Sequence, residues 1–394
     1  MKQALSYVFI TPYTVAKSRT GGVVSRLLSR VDLQLVGAQM IAADREFSTA
    51  YANNLREQID PKFPSAMELL SGYVEKSIAP STERPHRTLM LIFRGVDPCK
   101  KLSDICGALY PENRSIESLT GETIRDTYAD LIYDSSKEKR ISYFEPAVLT
   151  PRHQKNADTV LRLLARWLPA QPNIIENMKY PNPQKIERTL VIIKPDNWRF
   201  ASSKPGTIID MFSRTGLRIV GVKIHRMSVA EAMEFYGPVR EALKKRLAPT
   251  FGEKAKEILE SEFTIQLSKA TLERLTESFG VEYARDQFEQ IIEFMSGRRP
   301  SECPPEQLHE PGTVKCMLLV YEGENATKKI REVLGPTDPL KAPEGTIRRE
   351  FGSNIMVNTA HASVSPENAT REMAVVNIHK NRCAEIIQAY LQML

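Results

Sequence analysis

Cysteine is scarce in this chain and follows no pattern. Cys99, Cys106, Cys303, Cys316 and Cys383 are scattered without CxxC spacing. That excludes a disulfide framework or a zinc knuckle and predicts a reducing compartment, the cytoplasm. No apolar run reaches the ~18 residues of a membrane span. The opening MKQALSYVFITPYTV is too broken by polar residues and proline for a signal peptide. Basic residues form no tail or block. A net charge of +6 over 394 residues suits small anions as well as a polymer, and nucleic-acid binders usually concentrate their charge on one face. A Walker-type GxxxxGK[ST] loop is missing, so a P-loop fold has no support. Histidine is also rare, at six residues.

The composition is that of an ordinary globular protein, 42% apolar and 26% charged, and the length suits two domains. The chain repeats itself. LSYVFITPYTV…GGVVSRLLSRVDLQLVGAQM (from residue 5) parallels RTLVIIKPDNWRF…GTIIDMFSRTGLRIVGVKI (from 188). RTLMLIFRGVDPCKKLSDICGALYP (87–111) parallels VKCMLLVYEGENATKKIREVLGPTDP (314–339), and GETIRDTY (121–128) parallels EGTIRREF (344–351). Three blocks in one order imply duplication. Residues 168–187, rich in Pro and Asn, read as a linker or an ordered strap. The boundary falls near 180, giving copies over 1–180 and 181–394. The second carries a helical insertion near 241–313 that ends in the Pro-rich SECPPEQLHEPG.

Within each copy, short β-branched runs such as LVIIK and MLLVYEG alternate with helical spacing, as in TIIDMFSRTG and ENATKKIREVLG. A glycine follows each of these helices, where a C-terminal cap is wanted. The βαββαβ order predicts an α+β fold: two ferredoxin-like domains, each a four-stranded antiparallel sheet with helices on one face.

His361, in NTAHASVSPENATREM, lies among small residues just ahead of a helix start made by Ser365, Pro366 and Glu367. Lys194 and Arg348 sit in turn-like contexts, IIKPD and GTIRREF. Arg331 lies on a helix face and Thr337 in the loop after it. Each has a bland reading alone. Together they offer cations and a hydroxyl suited to a polyphosphate.

The motifs IIKPD, GTIRREF and NTAHAS, in this order, resemble those of the nucleoside diphosphate kinases over most of 186–378. The resemblance implies transfer of a γ-phosphoryl group from a nucleoside triphosphate to a nucleoside diphosphate, with Mg²⁺ accompanying the phosphates. It implies that His361 is the phosphorylated nucleophile and that Lys194, Arg331, Thr337 and Arg348 contact phosphate. It further implies that Tyr236 stands near the histidine, that Asn358 contacts the sugar hydroxyl, that Ser363 and Glu372 orient the imidazole, and that Phe288 stacks on the base. Val364 departs from the family's usual Asp.

The first copy departs further. Thr11 replaces the lysine of KPD, Tyr13 its aspartate, Ser103 stands at Arg331 and Leu109 at Thr337, while Arg125 survives. Matching YFEPAV to AHASVS puts Phe144 at the histidine, and His153 reads as a surface residue. The first copy is therefore expected to be catalytically dead and to pair with the second as an intrachain pseudo-dimer, with a homo-oligomer as a further option. Two rival readings stand beside the kinase. One is a nucleotide-binding regulatory or scaffold protein. The other, an RNA-binding module of the same architecture, ranks last, because its aromatic motifs are missing.

Overall fold

The computed structural model describes residues 3–58, 64–81, 86–110, 121–134 and 141–394. Pro111, which closes one of the repeated blocks, lies outside them. Ten strands are present among the described residues. The first copy contributes β1 (Ala4–Ile10), β2 (Gln34–Ile41), β3 (Thr88–Gly95), the hairpin β4 (Asp130–Tyr133) and β5 (Ile141–Glu145), and β6 (Val148–Leu149). The second contributes β7 (Ile186–Ile193), β8 (Arg218–His225), β9 (Cys316–Glu324) and β10 (Ala360–Ala362).

Two four-stranded sheets result, ordered β2-β3-β1-β6 and β10-β7-β9-β8. Leaving the hairpin aside, each copy places its fourth strand beside its first, then its third, then its second. β1 pairs antiparallel with β3 and β6, and β7 does so with β9 and β10. This is the expected ferredoxin-like α+β arrangement, found twice.

The first sheet differs from expectation in being covered on both faces. Val8, Ile10, Leu89, Leu91 and Phe93 face the helices Thr20–Arg30 and Pro98–Cys106 through one core. Leu5, Tyr7, Phe9, Met90 and Ile92 pack in another core with Phe47 and Tyr51, Val160 and Leu164, and Ile387 and Tyr390. Tyr7-Val8-Phe9-Ile10 is unbroken and apolar because both faces of β1 are dry.

By compactness the chain forms two units. One is Met1–Ile224, Met317–Arg371 and Asn377–Leu394; the other is His225–Cys316 with Glu372–Val376. The second unit is mainly helical, built on Val229–Phe263 and Val281–Ser296. The helix that begins at Ser228 runs without a break into the insertion.

Within the first unit the two copies share a core. Val23 and Leu27 of the first copy join Ile208 and Phe212 of the second. Helices Thr20–Arg30 and Lys204–Ser213 approach so closely that a Cβ on Gly21 would lie 2.4 Å from the Asp210 nitrogen. One on Gly206 would lie 2.2 Å from that of Ser25. The segment between the copies is an ordered strap: Ile174 bridges Gly221, and the Ile175 N–H donates to the Val220 carbonyl at 2.9 Å. In return the last helix, Cys383–Leu391, packs on the first copy. The Asn381 amide reaches the carbonyls of Ala38, on β2, and Val222, on β8, at 2.9 and 3.1 Å.

Candidate active site

The second copy's site is built where β10 lies along β7. His361 is the middle residue of β10, half-buried, with its backbone opposite Ile192. Lys194 follows the end of β7, held in extended conformation by Pro195 after it. Its backbone N–H donates to the Thr359 carbonyl at 3.0 Å, which fixes the lysine two residues from the histidine's strand entry.

Lys194 is buried, and its Nζ donates to Asn358 Oδ1 at 2.7 Å and to the Met356 carbonyl at 3.3 Å. Asn358 is buried as well, and its Nδ2 donates to the carbonyls of Thr337 (3.1 Å) and Ile355 (2.7 Å). One amide thus ties together the lysine, the Thr337 loop and the chain entering β10. Burial, and after it the positive charge of Arg348, together lower the Lys194 pKa to about 7 against the opposing pull of Asp196. Asp196, the acid of KPD, is drawn to Lys204 at 3.7 Å.

Arg348 donates from Nη1 to the Gly335 carbonyl and from Nη2 to the Ala360 carbonyl, both at 3.0 Å. It therefore braces the end of the helix Ala326–Leu334, whose last turn carries Arg331, against the strand of His361. Arg331 and Thr337 are exposed near that brace. Arg125 makes the same two contacts in the first copy, to the carbonyls of Gly107 and Val148. Bracing explains why this arginine survives where the expected phosphate groups are lost. That survival was the one sequence signal of a structural role.

Thr359 has φ 76°, unusual for a β-branched residue, and the Ala360 N–H donates back to the Asn358 carbonyl at 2.8 Å. Ala147 repeats this γ-turn, with φ 60° and Val148 N–H to Pro146 carbonyl at 2.7 Å. The tight turn belongs to the fold and is kept in a copy without the histidine.

These matches correct the sequence alignment of the first copy. Thr11 N–H donates to the Ala147 carbonyl as Lys194 N–H does to Thr359. Phe9 pairs with Leu149 as Ile192 pairs with His361. The residue at the histidine position is Leu149, not Phe144. Identical residues are too few between Arg125 and Leu149 to fix the spacing; backbone pairing fixes it. His153 is exposed at the start of the helix Gln154–Trp167, in the position Ser365 takes in the second copy.

Ser363 is fully buried, its N–H and Oγ directed at the Leu190 carbonyl at 3.1 and 3.4 Å. Ser365 caps the next helix through Asn368 N–H at 3.2 Å, and Val364 is exposed. Seven of the ten expected residues lie in the first unit: His361, Lys194, Arg331, Thr337, Arg348, Asn358 and Ser363. Glu372, Tyr236 and Phe288 belong to the second unit. All three are buried, Tyr236 against Phe235 with ring centroids 4.9 Å apart, and Phe288 beneath the Arg240 guanidinium at 5.9 Å.

Mg²⁺ prefers oxygen ligands and keeps several waters, so it is commonly held through substrate phosphates. No group of three His, Cys, Asp or Glu suited to a metal occurs among the described residues. No helix among the described residues is long and apolar enough to cross a membrane.

The sequence profile of the nucleoside diphosphate kinase family matches residues 187–251 and 242–381. The nucleoside diphosphate kinase of Bdellovibrio bacteriovorus is 31% identical over 190 residues, 48% of this chain and 92% of that protein. That of Cereibacter sphaeroides is 34% identical over 189 residues, 48% of this chain and 91% of that protein. The solved Aquifex aeolicus nucleoside diphosphate kinase is 28% identical, covers 48% of this chain and 94% of that one, and has a TM-score of 0.31. With the second copy matching nine-tenths of such relatives, this chain belongs to the nucleoside diphosphate kinase family.

Proposed function

We propose that the second copy transfers the γ-phosphoryl group of a nucleoside triphosphate to a nucleoside diphosphate by a ping-pong route through phosphohistidine at His361. The observation that carries this reading is the meeting of Lys194, Asn358, Thr337 and Arg348 at the strand of a half-buried histidine. In the first step an imidazole nitrogen of His361 bonds to the γ-phosphorus as the bridging P–O bond breaks and the diphosphate leaves. In the second, the terminal phosphate oxygen of another diphosphate bonds to that phosphorus and the N–P bond breaks. Such transfer needs mainly positioning and charge neutralisation, which Lys194, Arg331 and Arg348 supply. Mg²⁺ enters on the nucleotide and offsets phosphate charge. Ser363 acts as a positioning residue and Asn358 addresses the sugar hydroxyl, the roles that the family resemblance implies.

Incubation with γ-labelled ATP tests the reading. Label should appear on the protein, map to His361, resist base, be lost in acid, and transfer to added GDP. Label lost to GDP without ever residing on the chain would overturn the phosphohistidine route.

Lys194 gives the reading a pH signature. With a pKa of about 7, the lysine of the empty site is mostly neutral at pH 8. A bound polyphosphate favours its ammonium form, so binding draws a proton from solvent. Affinity for ADP should fall as pH rises from 7 to 9, by up to about one decade per unit. Calorimetry at pH 8 in buffers of different ionisation enthalpy should show proton uptake that Lys194→Met removes. Heats independent of the buffer would deny Lys194 a phosphate contact.

The five cysteines are unpaired, which supports placing the protein in the cytoplasm. The first copy serves as a structural partner, an intrachain pseudo-dimer half, because Leu149 replaces the nucleophile and a buried carboxylate occupies the lysine's surroundings. Glu145 there accepts from Thr11 Oγ1 and the Tyr73 hydroxyl, both at 2.7 Å, and from the Ala147 N–H at 3.1 Å. Where the second copy has a buried cation, the first has an acid.

A further inference from the structure

The first copy encloses a cavity of about 310 Å³ that none of the roles above uses. Arg125, Ser103, Tyr51 and Thr150 form part of its wall, and the exposed Arg152 and His153 stand at its mouth. Arg125 is 9% exposed and spends Nη1 and Nη2 on the carbonyls of Gly107 and Val148. Its Nε–H is buried and has no hydrogen-bond partner among the described residues. An orphaned donor on a buried cation is costly unless something occupies the space beside it.

Three further observations agree on the sign of that occupant. Burial weakens the hold of Arg125 on its proton; Cys106 opposes this and Arg152 adds to it, so two guanidiniums stand near enough to repel. The 14-residue helix Gln154–Trp167 starts at the cavity mouth, and His153 at its N-cap makes no side-chain capping bond there, leaving the positive helix end toward the opening. Glu57, exposed, is the one carboxylate among the described residues lining the cavity.

We propose that this cavity is a binding site for a single tetrahedral oxyanion of the phosphate class, held by Arg125, Arg152, His153 and the helix N-terminus. A nucleoside triphosphate does not fit the chemistry. Ser103 and Leu109 stand where Arg331 and Thr337 stand in the second copy, Glu145 brings negative charge beside Thr11, and the volume is at the small end for ligand pockets.

Inorganic phosphate is the probe. Full-length protein is titrated with it by calorimetry at constant ionic strength, with ADP saturating the second copy. One phosphate per chain should bind. Arg152 and His153 are exposed, so Arg152→Gln with His153→Ala should leave folding and phosphoryl transfer unchanged while weakening phosphate binding about tenfold. Arg152→Lys should fall between. No saturable binding in the presence of ADP, or a loss smaller than threefold in the double variant, overturns the proposal; a larger loss supports it.

Discussion

His361→Ala will lose phosphoryl transfer by roughly three orders of magnitude or more, the scale on which removal of a covalent nucleophile registers. Nucleotide affinity should change by less than about tenfold, because the groups expected to contact phosphate are anchored elsewhere. Lys194 is held by Asn358 and Met356, and Arg348 by Gly335 and Ala360, the last through a backbone carbonyl that alanine at 361 leaves in place. The imidazole itself is half-buried on a three-residue strand, so its truncation leaves a small opening beside the solvent and no large core cavity. A rapid-quench assay for ATP-to-GDP transfer, paired with ADP titration, separates the two quantities. Wild-type turnover in the variant sinks the phosphohistidine assignment. Loss of binding in step with activity would instead mean that the histidine shapes the pocket.

Removing residues 1–180 should destroy soluble, folded protein, although that segment carries no proposed catalytic group. The deletion uncovers Ile208 and Phe212 on the helix that faces Thr20–Arg30, and it strips the partners of Cys383, Ile387 and Tyr390. It also removes Asn173 and the Ile174–Ile175 strap from Gly221 and Val220. Exposed apolar surface of that extent drives aggregation or abnormal assembly. Gly206→Leu in the full chain makes the same point more gently. Its side chain would meet the Ser25 backbone, and overpacking of this kind costs about 1–3 kcal/mol or more. Size-exclusion chromatography and near-UV dichroism of 181–394 decide the matter. A monodisperse fragment with native dichroism and full activity would show that the first copy is dispensable.

Much of this was written locally. The repeat, the βαββαβ order and the helix start at Ser365-Pro366 are properties of adjacent residues, and each has its counterpart in the structure. So do the glycines after the helices, Gly107, Gly216 and Gly335, which adopt positive φ of 86°, 70° and 83°, a region that favours glycine. His361, Lys194 and Arg348 stood out because residue type and near neighbours marked them.

What the sequence could not supply was partnership over distance. Arg348 stood out as a phosphate contact, but not as the brace whose guanidinium also joins two carbonyls that lie 13 and 12 residues away. Leu149, not Phe144, occupies the histidine position because hydrogen bonding to β1 sets the register, and register has no local code where identical residues run out. The burial of both faces of β1, and the exchange by which each copy's tail packs on the other, were likewise decided by tertiary packing. Composition and spacing specify which elements form and which side chains carry charge. Only the folded chain, by placing donors and acceptors far apart in sequence within about 3 Å of one another, determines which of those side chains hold the structure and which face a ligand.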